Sequence, residues 1–530
     1  MSSASAITAN EVVSAPRVNP WLIGIVVSLA AFMEVLDSSI ANVALPHIAG
    51  NLGTSNDEST WVLTSYLVAN AIVLPISGFL VSLFGRKRFF MTCIAFFSLS
   101  SFLCGIAPTL ALLLLFRIMQ GAFGGGLQPM AQAILADTFP AAKRGLAFAL
   151  YGIAAVCGPV LGPTLGGWIT DNYSWRWIFY INVPVGALTL LMVHLLVEDP
   201  PYLKQLKNSA ARFDYVGFSL LALSVGALQI MLDKGQEDDW FGSHFIATLA
   251  VLAAVGMISL ILWEWRQKQP IVDVHLFRNF NFALTNIMFL FLGMALFSST
   301  VLMPQLLQTL IGYTAEDAGM VLSSGAIFML FLLPMVGQFT TRVQARYLVA
   351  IGWLALAVGM YISALQTDLL IGFGNAAWLR ILQSIPIPFL FVPLTLAGYV
   401  GLEAGKTNSA AGMMNFMRNI GQSVGTSAVT TVLARRNQFH QSILTTYTAS
   451  PRFRSAAQQL AVQLNHAGLG MQTAQHQASD RLYGIVQAQA ASQSYIDAYW
   501  LLAIAAATMF IGAFFLKPNH PGEGGNVAMH

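Results

Sequence analysis

The sequence predicts an all-α polytopic membrane protein with fourteen transmembrane helices: six, then two inserted helices, then six more. Three observations predict this fold class. Of the 530 residues, 56% are hydrophobic and 9% are charged, with a mean hydropathy of +0.66, whereas soluble domains carry about 25% charged residues. Apolar stretches long enough to cross a bilayer recur along the chain. A set of short motifs also occurs twice, with one spacing between the copies.

The internal repeat has an offset of 263 residues. Three matches share this offset: Arg117-Ile118-Met119-Gln120 with Arg380-Ile381-Leu382-Gln383, Lys143 with Lys406, and Gly158 and Gly162 with Gly421 and Gly425. A duplicated bundle of membrane helices is typical of secondary transporters, whose substrate path lies between the two halves. The repeat therefore bears on function as well as on fold.

Each predicted membrane helix is an apolar stretch of about 20 residues. The fourteen stretches are centred near residues 33, 71, 98, 121, 155, 186, 223, 254, 292, 326, 356, 387, 420 and 505. The first is too long for a signal-peptide core and is expected to remain in the membrane. The seventh and eighth have no counterpart in the repeat, so we interpret them as an insertion.

These stretches divide the chain into six parts. They are a cytoplasmic N-terminal tail (1–19), a six-helix bundle (20–198), a cytoplasmic linker (199–213), two inserted helices (214–266), a second six-helix bundle with a long periplasmic loop (279–516, loop 435–493), and a cytoplasmic tail (517–530).

The basic residues of the short loops and tails predict the orientation in the membrane. Sixteen lie on one side and two on the other, Arg176 and Lys234. Because cytoplasmic loops carry the excess of Lys and Arg, both termini are expected in the cytoplasm. An even number of spans places both termini on one face, in agreement.

The loop 435–493 is the only long segment expected outside the membrane. Its Gln/Ala-rich runs favour helix over coil. It is either a passive linker or an ordered helical pair that contacts another protein. We favour the second interpretation, because structureless loops of this length are uncommon unless they are functional.

Three charged residues of the first bundle fall deep inside predicted membrane helices, where charge is costly and needs a reason. Glu34 and Asp37 lie on one face of the first helix, and Arg117 lies in the fourth. At about 1.5 Å per residue, Asp37 and Arg117 both lie about 12–14 Å below the outer surface, so they can meet. Two carboxylates one turn apart resist double ionisation while the arginine favours it. The cluster is therefore either a proton-coupling site or a static ion pair that fixes helix packing.

The second half lacks the acidic partners of this cluster. Arg380 is retained, but Leu292 and Ala295 stand where Glu34 and Asp37 would be. If protons move through the protein, they are expected to move through the first half.

Glycine and proline spacing predicts conformational motifs. Small residues form a stripe on the fifth helix, which allows close helix approach, and its prolines weaken the backbone hydrogen bonds; static packing is the alternative. A glycine-bounded basic turn joins the second and third helices, and its charges could also be a pure topology signal. The predicted residues are Gly158, Pro159, Gly162, Pro163, Gly166 and Gly167 in the stripe, and Gly78, Gly85 and Arg86 at the turn.

Polar residues within or at the ends of apolar spans are candidates for a substrate cavity, since such residues usually face the bundle interior. They are Asn42, Gln120, Gln128, Gln305, Gln308, Asn415 and Arg418.

No metal or cofactor is expected: the histidines show no ligand spacing, and the cysteines (Cys93, Cys104 and Cys157) fall in apolar runs. A nucleotide-binding loop is also missing. A membrane enzyme would need clustered acids or a nucleophile at a membrane face, and none is visible.

These motifs together resemble the major facilitator superfamily, and within it the fourteen-helix drug:proton antiporters of the EmrB type. The stretch from Leu36 to Pro46 is similar to that family's first-helix signature, Arg117-x-x-Gln120-Gly121 to its proton-transfer motif, and Gly158 to Gly167 to its antiporter motif. One departure is Ser82, where the family's cytoplasmic loop motif usually has an acid. A charge-relay role for that loop is therefore in doubt.

The resemblance implies a proton-driven multidrug exporter in the bacterial inner membrane. It further implies a tripartite pump with a periplasmic adaptor of the EmrA type and an outer-membrane channel. The alternatives are a dedicated metabolite exporter or a proton symporter of the same fold.

Overall fold

The computed structural model describes residues 19–199, 213–267, 269–403 and 405–518, and these form α-helices joined by short turns. No β-strand occurs among them. The predicted N-terminal tail, cytoplasmic linker and C-terminal tail lie almost wholly outside the described residues, which exclude 1–18, 200–212 and 519–530.

The first half contains six spans, of which the fourth and the sixth are each built from two helical pieces. Its helices are α1 (Pro20–Leu52), α2 (Asn56–Phe84), α3 (Arg86–Ile106), α4 (Leu110–Gly124), α5 (Leu127–Thr138), α6 (Arg144–Asn172), α7 (Trp177–Tyr180) and α8 (Asn182–Leu196). Side-chain caps fix several of the starts. At α2, for example, Ser55 Oγ accepts from Glu58 N at 3.2 Å, and Glu58 Oε2 accepts from Ser55 N at 3.0 Å.

The inserted helices and the second half follow. Their helices are α9 (Tyr215–Lys234), α10 (His244–Arg266), α11 (Phe280–Leu306), α12 (Ala315–Phe339), α13 (Ala345–Gln366), α14 (Phe373–Ser384), α15 (Pro386–Gly398), α16 (Thr407–Thr446), α17 (Pro451–His466) and α18 (Met471–Ala513). Thirteen spans in the described part of the chain are long and apolar enough to cross a membrane. The remaining predicted span lies in α16, which is long enough but too polar to be counted among them.

The sequence repeat is also a structural repeat. In the first half α1 packs along α6, and in the second half α11 packs along α16. Glycines at matching positions permit both contacts: a Cβ at Gly158 would meet Leu36 N at 3.1 Å, and a Cβ at Gly425 would meet the Met294 Cα at 2.6 Å. Small residues thus let the two backbones approach in each half.

The halves meet through two related interfaces, α2 with α16 and α6 with α12. In both interfaces the closest approach lies near the end of the bundle that bears the basic turn at Arg86. A Cβ at Gly412 would stand 2.6 Å from the Leu74 carbonyl oxygen, and a Cβ at Gly145 would stand 2.7 Å from the Gly337 carbonyl oxygen. The backbones therefore touch at this end of the bundle.

The inserted helices pack on the outside of one of these interfaces. α9 contacts α10, α2 and α16. Asp233 accepts a hydrogen bond from the Thr64 hydroxyl on α2, and Gln229 Nε2 donates to Ser423 Oγ on α16 at 2.6 Å. The insertion is therefore bonded to both halves of the protein.

The predicted loop 435–493 is helical along most of its length. α16 and α18 continue through it as helices of 40 and 43 residues, and α17 packs on α18. Asp497 joins the two long helices, because its Oδ2 lies 2.6 Å from both Arg436 Nε and His440 Nε2. These helices project from the end of the bundle opposite to the basic turn at Arg86. Residues 437–489, which include α17, are called the outer hairpin below.

Candidate functional site

A fully buried ion pair joins the first and fourth spans. Arg117 Nη1 lies 2.6 Å from Asp37 Oδ2, and both side chains are 0% exposed. The pair lies well inside α1 and α4, as the depth estimate predicted. Removing two charges from water costs several kcal/mol per ion, which only good geometry and further hydrogen bonds can offset.

Neutral donors and acceptors complete the surroundings of the pair. Asp37 Oδ1 accepts from Gln120 Nε2 at 2.8 Å and from Asn182 Nδ2 at 2.7 Å. Arg117 donates from Nη1 to Gln120 Oε1 at 2.8 Å, and its Cζ lies 4.2 Å from the centre of the Tyr66 ring. Two elements, α4 and α8, therefore converge on one carboxylate of α1, and Tyr66 of α2 covers the arginine that pairs with it.

Glu34 belongs to a second network, which corrects the prediction of one cluster around Arg117. Its Oε1 accepts from Tyr66 Oη at 3.1 Å and from Asn70 Nδ2 at 3.0 Å, and its Oε2 accepts from Gln128 Nε2. Tyr66 links the two networks, since its hydroxyl bonds Glu34 and its ring covers Arg117.

The Glu34 network crosses from one half to the other. Gln128 Oε1 accepts from Tyr151 Oη at 3.0 Å and from the Arg418 guanidinium of α16. A second bond between the halves runs from Asn415 Nδ2 to Gln132 Oε1 at 2.7 Å. The structure thus brings Gln128, Asn415 and Arg418 together between the halves, at the level of Glu34.

Aromatic rings surround this crossing point. Tyr151 and Phe391 stack with ring centres 5.8 Å apart, and the Arg418 Cζ lies 5.8 Å from the Phe391 ring. Phe289 meets Phe391 edge-on at 6.5 Å. An apolar wall beside a few polar groups is the usual character of a small-molecule site.

The other predicted cavity residues lie elsewhere. Gln120 does not line a cavity: it is 0% exposed and bonded to the ion pair. Asn42, Gln305 and Gln308 are exposed toward the outer ends of α1 and α11, and they take no part in either network. A contact between these three residues and substrate stays a prediction.

The glycine stripe of α6 packs on the part of α1 that carries the acids. A Cβ at Gly158 would meet Val35 Cγ1 at 2.6 Å, and one at Gly166 would meet the Ile40 carbonyl oxygen at 3.1 Å. Gly162 lies against Ser39 in the same way. Gly167 is the exception, because a Cβ there has nothing within 4 Å, so it does not belong to the packing face.

The prolines of this stripe also serve the contact with α1. Pro163 has no N–H, so it cannot bond the carbonyl of Pro159 one turn earlier. Ser39 Oγ donates to that carbonyl at 3.4 Å instead. The backbone group freed inside α6 is therefore satisfied by α1, which ties the two helices together beside Asp37.

The basic turn between α2 and α3 is bonded to neighbouring helix ends. Arg86 Nη2 lies 2.6 Å from Asp137 Oδ2 at the end of α5, and Lys87 N donates to Asp199 Oδ1 at 2.7 Å. Gly85 has a φ of +84°, and Gly78 lies directly against the Ser409 backbone of α16. Although Ser82 replaces the acid of the family motif, Arg86 has a carboxylate partner from another helix.

Arg380 occupies the place of Arg117 in the second half but has different partners. Its Nη1 donates to Ser299 Oγ and its Nη2 to Thr300 Oγ1, both at 3.2 Å, and the residue is 5% exposed. Within the described residues it forms no ion pair. The asymmetry between the halves, predicted from Leu292 and Ala295, is thus present in the structure.

Several residues of the site were not singled out from the sequence. They are Tyr66, Asn70, Gln132, Tyr151 and Asn182. Asn70 and Asn182 could have been found, because each is an amide in an apolar run. Tyrosines give no such signal, since they are common in membrane helices and at membrane interfaces.

The chain resembles known proteins over nearly its whole length. Residues 27–426 match the family model described as "Major Facilitator Superfamily". The multidrug export protein EmrB of Escherichia coli (strain K12) is 38% identical over 506 residues, covering 96% of this chain and 97% of the relative. The fatty acid resistance protein FarB of Neisseria gonorrhoeae is 36% identical over 507 residues, covering 94% and 96%.

A solved structure shows the same fold at low sequence identity. The proton:xylose symporter XylE, a major facilitator protein, superposes with a TM-score of 0.58 at 13% identity, covering 95% of this chain and 97% of that one. The arrangement of helices is therefore shared even where the sequences have diverged.

Proposed function

Since the chain belongs to the major facilitator superfamily, and within it to the EmrB type of multidrug export protein, we propose that it is a proton-driven exporter of hydrophobic or amphipathic drugs and toxic small molecules. The family consists of membrane transporters rather than enzymes, and the chain is a multi-pass membrane protein. The observation that carries the proposal is the pair of carboxylates at membrane depth, one of which is bonded into the contact between the halves.

Protonation of Glu34 supplies a route from proton binding to movement. When Glu34 Oε2 carries a proton, it is a poorer acceptor for Gln128, which also holds Arg418 of the opposite half. Charge-assisted hydrogen bonds are roughly twice as strong as neutral ones, so this link between the halves weakens. Proton uptake then favours separation of the halves at this level, and proton release favours their closure.

Asp37 controls the position of the Arg117 guanidinium. In its ionised form it holds Arg117, Gln120 and Asn182 together. Neutralising it releases the guanidinium, whose remaining contacts include the Tyr66 ring shared with the Glu34 network. The two acids are therefore coupled through Tyr66, which suits an exchange of protons against substrate.

Substrate is proposed to bind between the halves. Tyr151, Phe289 and Phe391 would contact its apolar body, while Gln128 and Arg418 would contact polar groups. A relative named for fatty acid resistance supports amphipathic substrates. The two halves are in contact near the end of the bundle that bears the basic turn at Arg86. We therefore assign the structure to the state that releases substrate at the opposite end.

The proposed location is the bacterial inner membrane with both termini in the cytoplasm. The basic turn at Arg86 and the repeated Lys143 and Lys406 all lie at one end of the bundle. The positive-inside rule assigns that end to the cytoplasm. The outer hairpin then stands in the periplasm, where an adaptor of the EmrA type and an outer-membrane channel would complete a tripartite pump.

Transport by the purified protein in proteoliposomes tests the proposal. An imposed pH gradient should drive uptake of several chemically different dyes by the wild type. Asp37→Asn should abolish the gradient dependence, while Asp368→Asn, an exposed acid at the far end of α13, should not. Indifference of the wild type to the gradient would refute proton coupling. Full gradient-driven transport by a Glu34→Gln and Asp37→Asn double variant would refute the proton site alone.

A further inference from the structure

A buried cation that has no acidic partner among the described residues distinguishes the second half. Arg380 lies seven residues into α14, about 10 Å along the helix, and is 5% exposed. Ser299 and Thr300 accept its hydrogen bonds. Their own hydroxyls donate to the Leu296 carbonyl oxygen, at 3.0 Å and 2.8 Å. Neutral hydroxyls bond two of the three guanidinium nitrogens but leave the charge uncompensated.

Unused hydrogen-bond donors lie beside this cation. Within the described part of the chain, Arg380 Nε has no hydrogen-bond partner, and neither has the buried hydroxyl of Ser384, one turn later on the same helix. Both residues border Gly325 of α12, where a Cβ would stand 2.9 Å from the Ser384 Cβ and 3.1 Å from the Arg380 Cγ. Two donors on one face, with a positive charge and no acid, form a site that suits an anion.

The site adjoins the place where the halves meet. Leu296 lies one turn before Thr300 on α11 and packs against a buried cluster of Ala326, Met329 and Ile387, against which Val156 of α6 also packs. Leu296, whose carbonyl oxygen accepts from both hydroxyls that bond Arg380, therefore connects the guanidinium to the contact between the halves. In the first half Asp37 fills the corresponding position beside Arg117.

We propose that Arg380, with the Ser384 hydroxyl, binds the carboxylate of an amphipathic organic anion carried by the transporter. This inference rests on the proposed export of amphipathic molecules and assigns a second polar subsite, separate from the Glu34 network. The carboxylate takes the place that Asp37 holds in the first half. Neutral substrates bind between the halves without using Arg380.

Equilibrium binding in lipid nanodiscs, without a gradient, tests this subsite. The probes are a dansyl-labelled long-chain carboxylic acid and the matching dansyl-labelled alcohol, at mildly alkaline pH so that the acid is ionised. Arg380→Gln should weaken binding of the carboxylate about tenfold or more, as expected for loss of charge-assisted hydrogen bonds. Binding of the alcohol should change by less than about twofold.

Three further variants separate binding from folding. Arg380→Lys should recover part of the carboxylate affinity, because the charge remains, and Ser384→Ala should weaken the carboxylate alone. Arg342→Gln removes an exposed arginine after α12 and should leave both probes unaffected. Equal weakening of both probes by Arg380→Gln, or of neither, would overturn the subsite while leaving the proposed function intact. A wild type that binds neither probe would overturn both.

Discussion

At the level of single residues, Arg117 and Arg380, the two arginines of the repeat, differ in the partners that their guanidinium groups contact. Arg117 is compensated by a carboxylate at 2.6 Å, whereas the acceptors of Arg380 in the described residues are hydroxyls. Removing one partner of a buried ion pair leaves the other charge unpaired and costs about 3–5 kcal/mol. Removing a cation that has no anionic partner leaves no such charge behind.

The first prediction follows for a neutral dye. Arg117→Ala should abolish gradient-driven efflux and lower thermal stability, because Asp37 is left buried and unpaired. Arg380→Ala should retain most efflux of the same dye. Proteoliposome transport and the melting temperature in detergent measure both effects. Equal damage from the two variants would mean that both arginines serve packing common to the repeat.

A second prediction concerns the link from Glu34 through Gln128 to Arg418. If the two charges act on one network, Glu34→Gln and Arg418→Gln should be non-additive in transport rate, by about 0.5–3 kcal/mol when rates are expressed as free energies. The matched control pairs Glu34→Gln with Arg342→Gln, which should be additive because Arg342 is exposed and distant from the network. Strict additivity in the first pair would separate Glu34 from the movement of the halves.

The sequence predicted part of this site, for reasons that can be stated. Depth along a helix follows from residue counts, so the meeting of Asp37 and Arg117 could be predicted. The direction in which each side chain leaves the helix could not be predicted finely enough, because positions three residues apart differ by about 60° around the helix axis. That angle directs Glu34 to α2 and α5 while Asp37 faces α4 and α8. Partner choice of this kind depends on tertiary packing.

At the level of helices, the α1–α6 contact connects the acids to a face made of small residues. Gly158, Gly162 and Gly166 allow α6 to lie against the backbone of α1 between Val35 and Ile40. Asp37 lies in that stretch. A shift of α1 along this face of α6 therefore moves the carboxylate relative to Arg117, which lies on α4.

The third prediction compares two glycines of the same helix. Gly162→Ala forces a methyl group against Ser39, and overpacking of this kind costs about 1–3 kcal/mol. It should reduce both thermal stability and transport. Gly167→Ala adds the same group where nothing lies within 4 Å, so both properties should stay near those of the wild type. Comparable loss in the two variants would show that helix flexibility, rather than the contact with α1, is what the stripe provides.

Helix positions were predictable where hydropathy decides them, and helix ends were less so. Every predicted span centre falls within a helix. The limits of the loop at Arg435 and Gln493 do not coincide with helix ends, because α16 and α18 continue into the outer hairpin. Polar residues there mark the limit of the apolar span, but Gln, Ala and Arg are good helix formers, so the helices need not end where the apolar span does.

At the level of the whole molecule, the outer hairpin is a large part of the described chain that lies apart from Glu34, Asp37 and the contact between the halves. It exposes apolar side chains, including Tyr447 at 65% and Ile485 at 58%. Exposed apolar residues on an ordered helical surface are typical of a protein-binding face. Arg436 and His440 anchor its base to Asp497, so it can be shortened above that point.

The last prediction is that the outer hairpin holds a periplasmic adaptor of the EmrA type. Deleting residues 442–488 and joining the ends with about five Gly/Ser residues, which span the roughly 10 Å between packed helices, should leave dye transport in proteoliposomes intact. Pull-down of co-expressed adaptor and drug resistance of whole cells should both be lost. In the full-length chain, Tyr447→Glu with Ile485→Glu should weaken the pull-down without shortening any helix. If the shortened protein still captured adaptor and conferred full resistance, docking would have to involve the shorter outer turns, such as the one between α1 and α2.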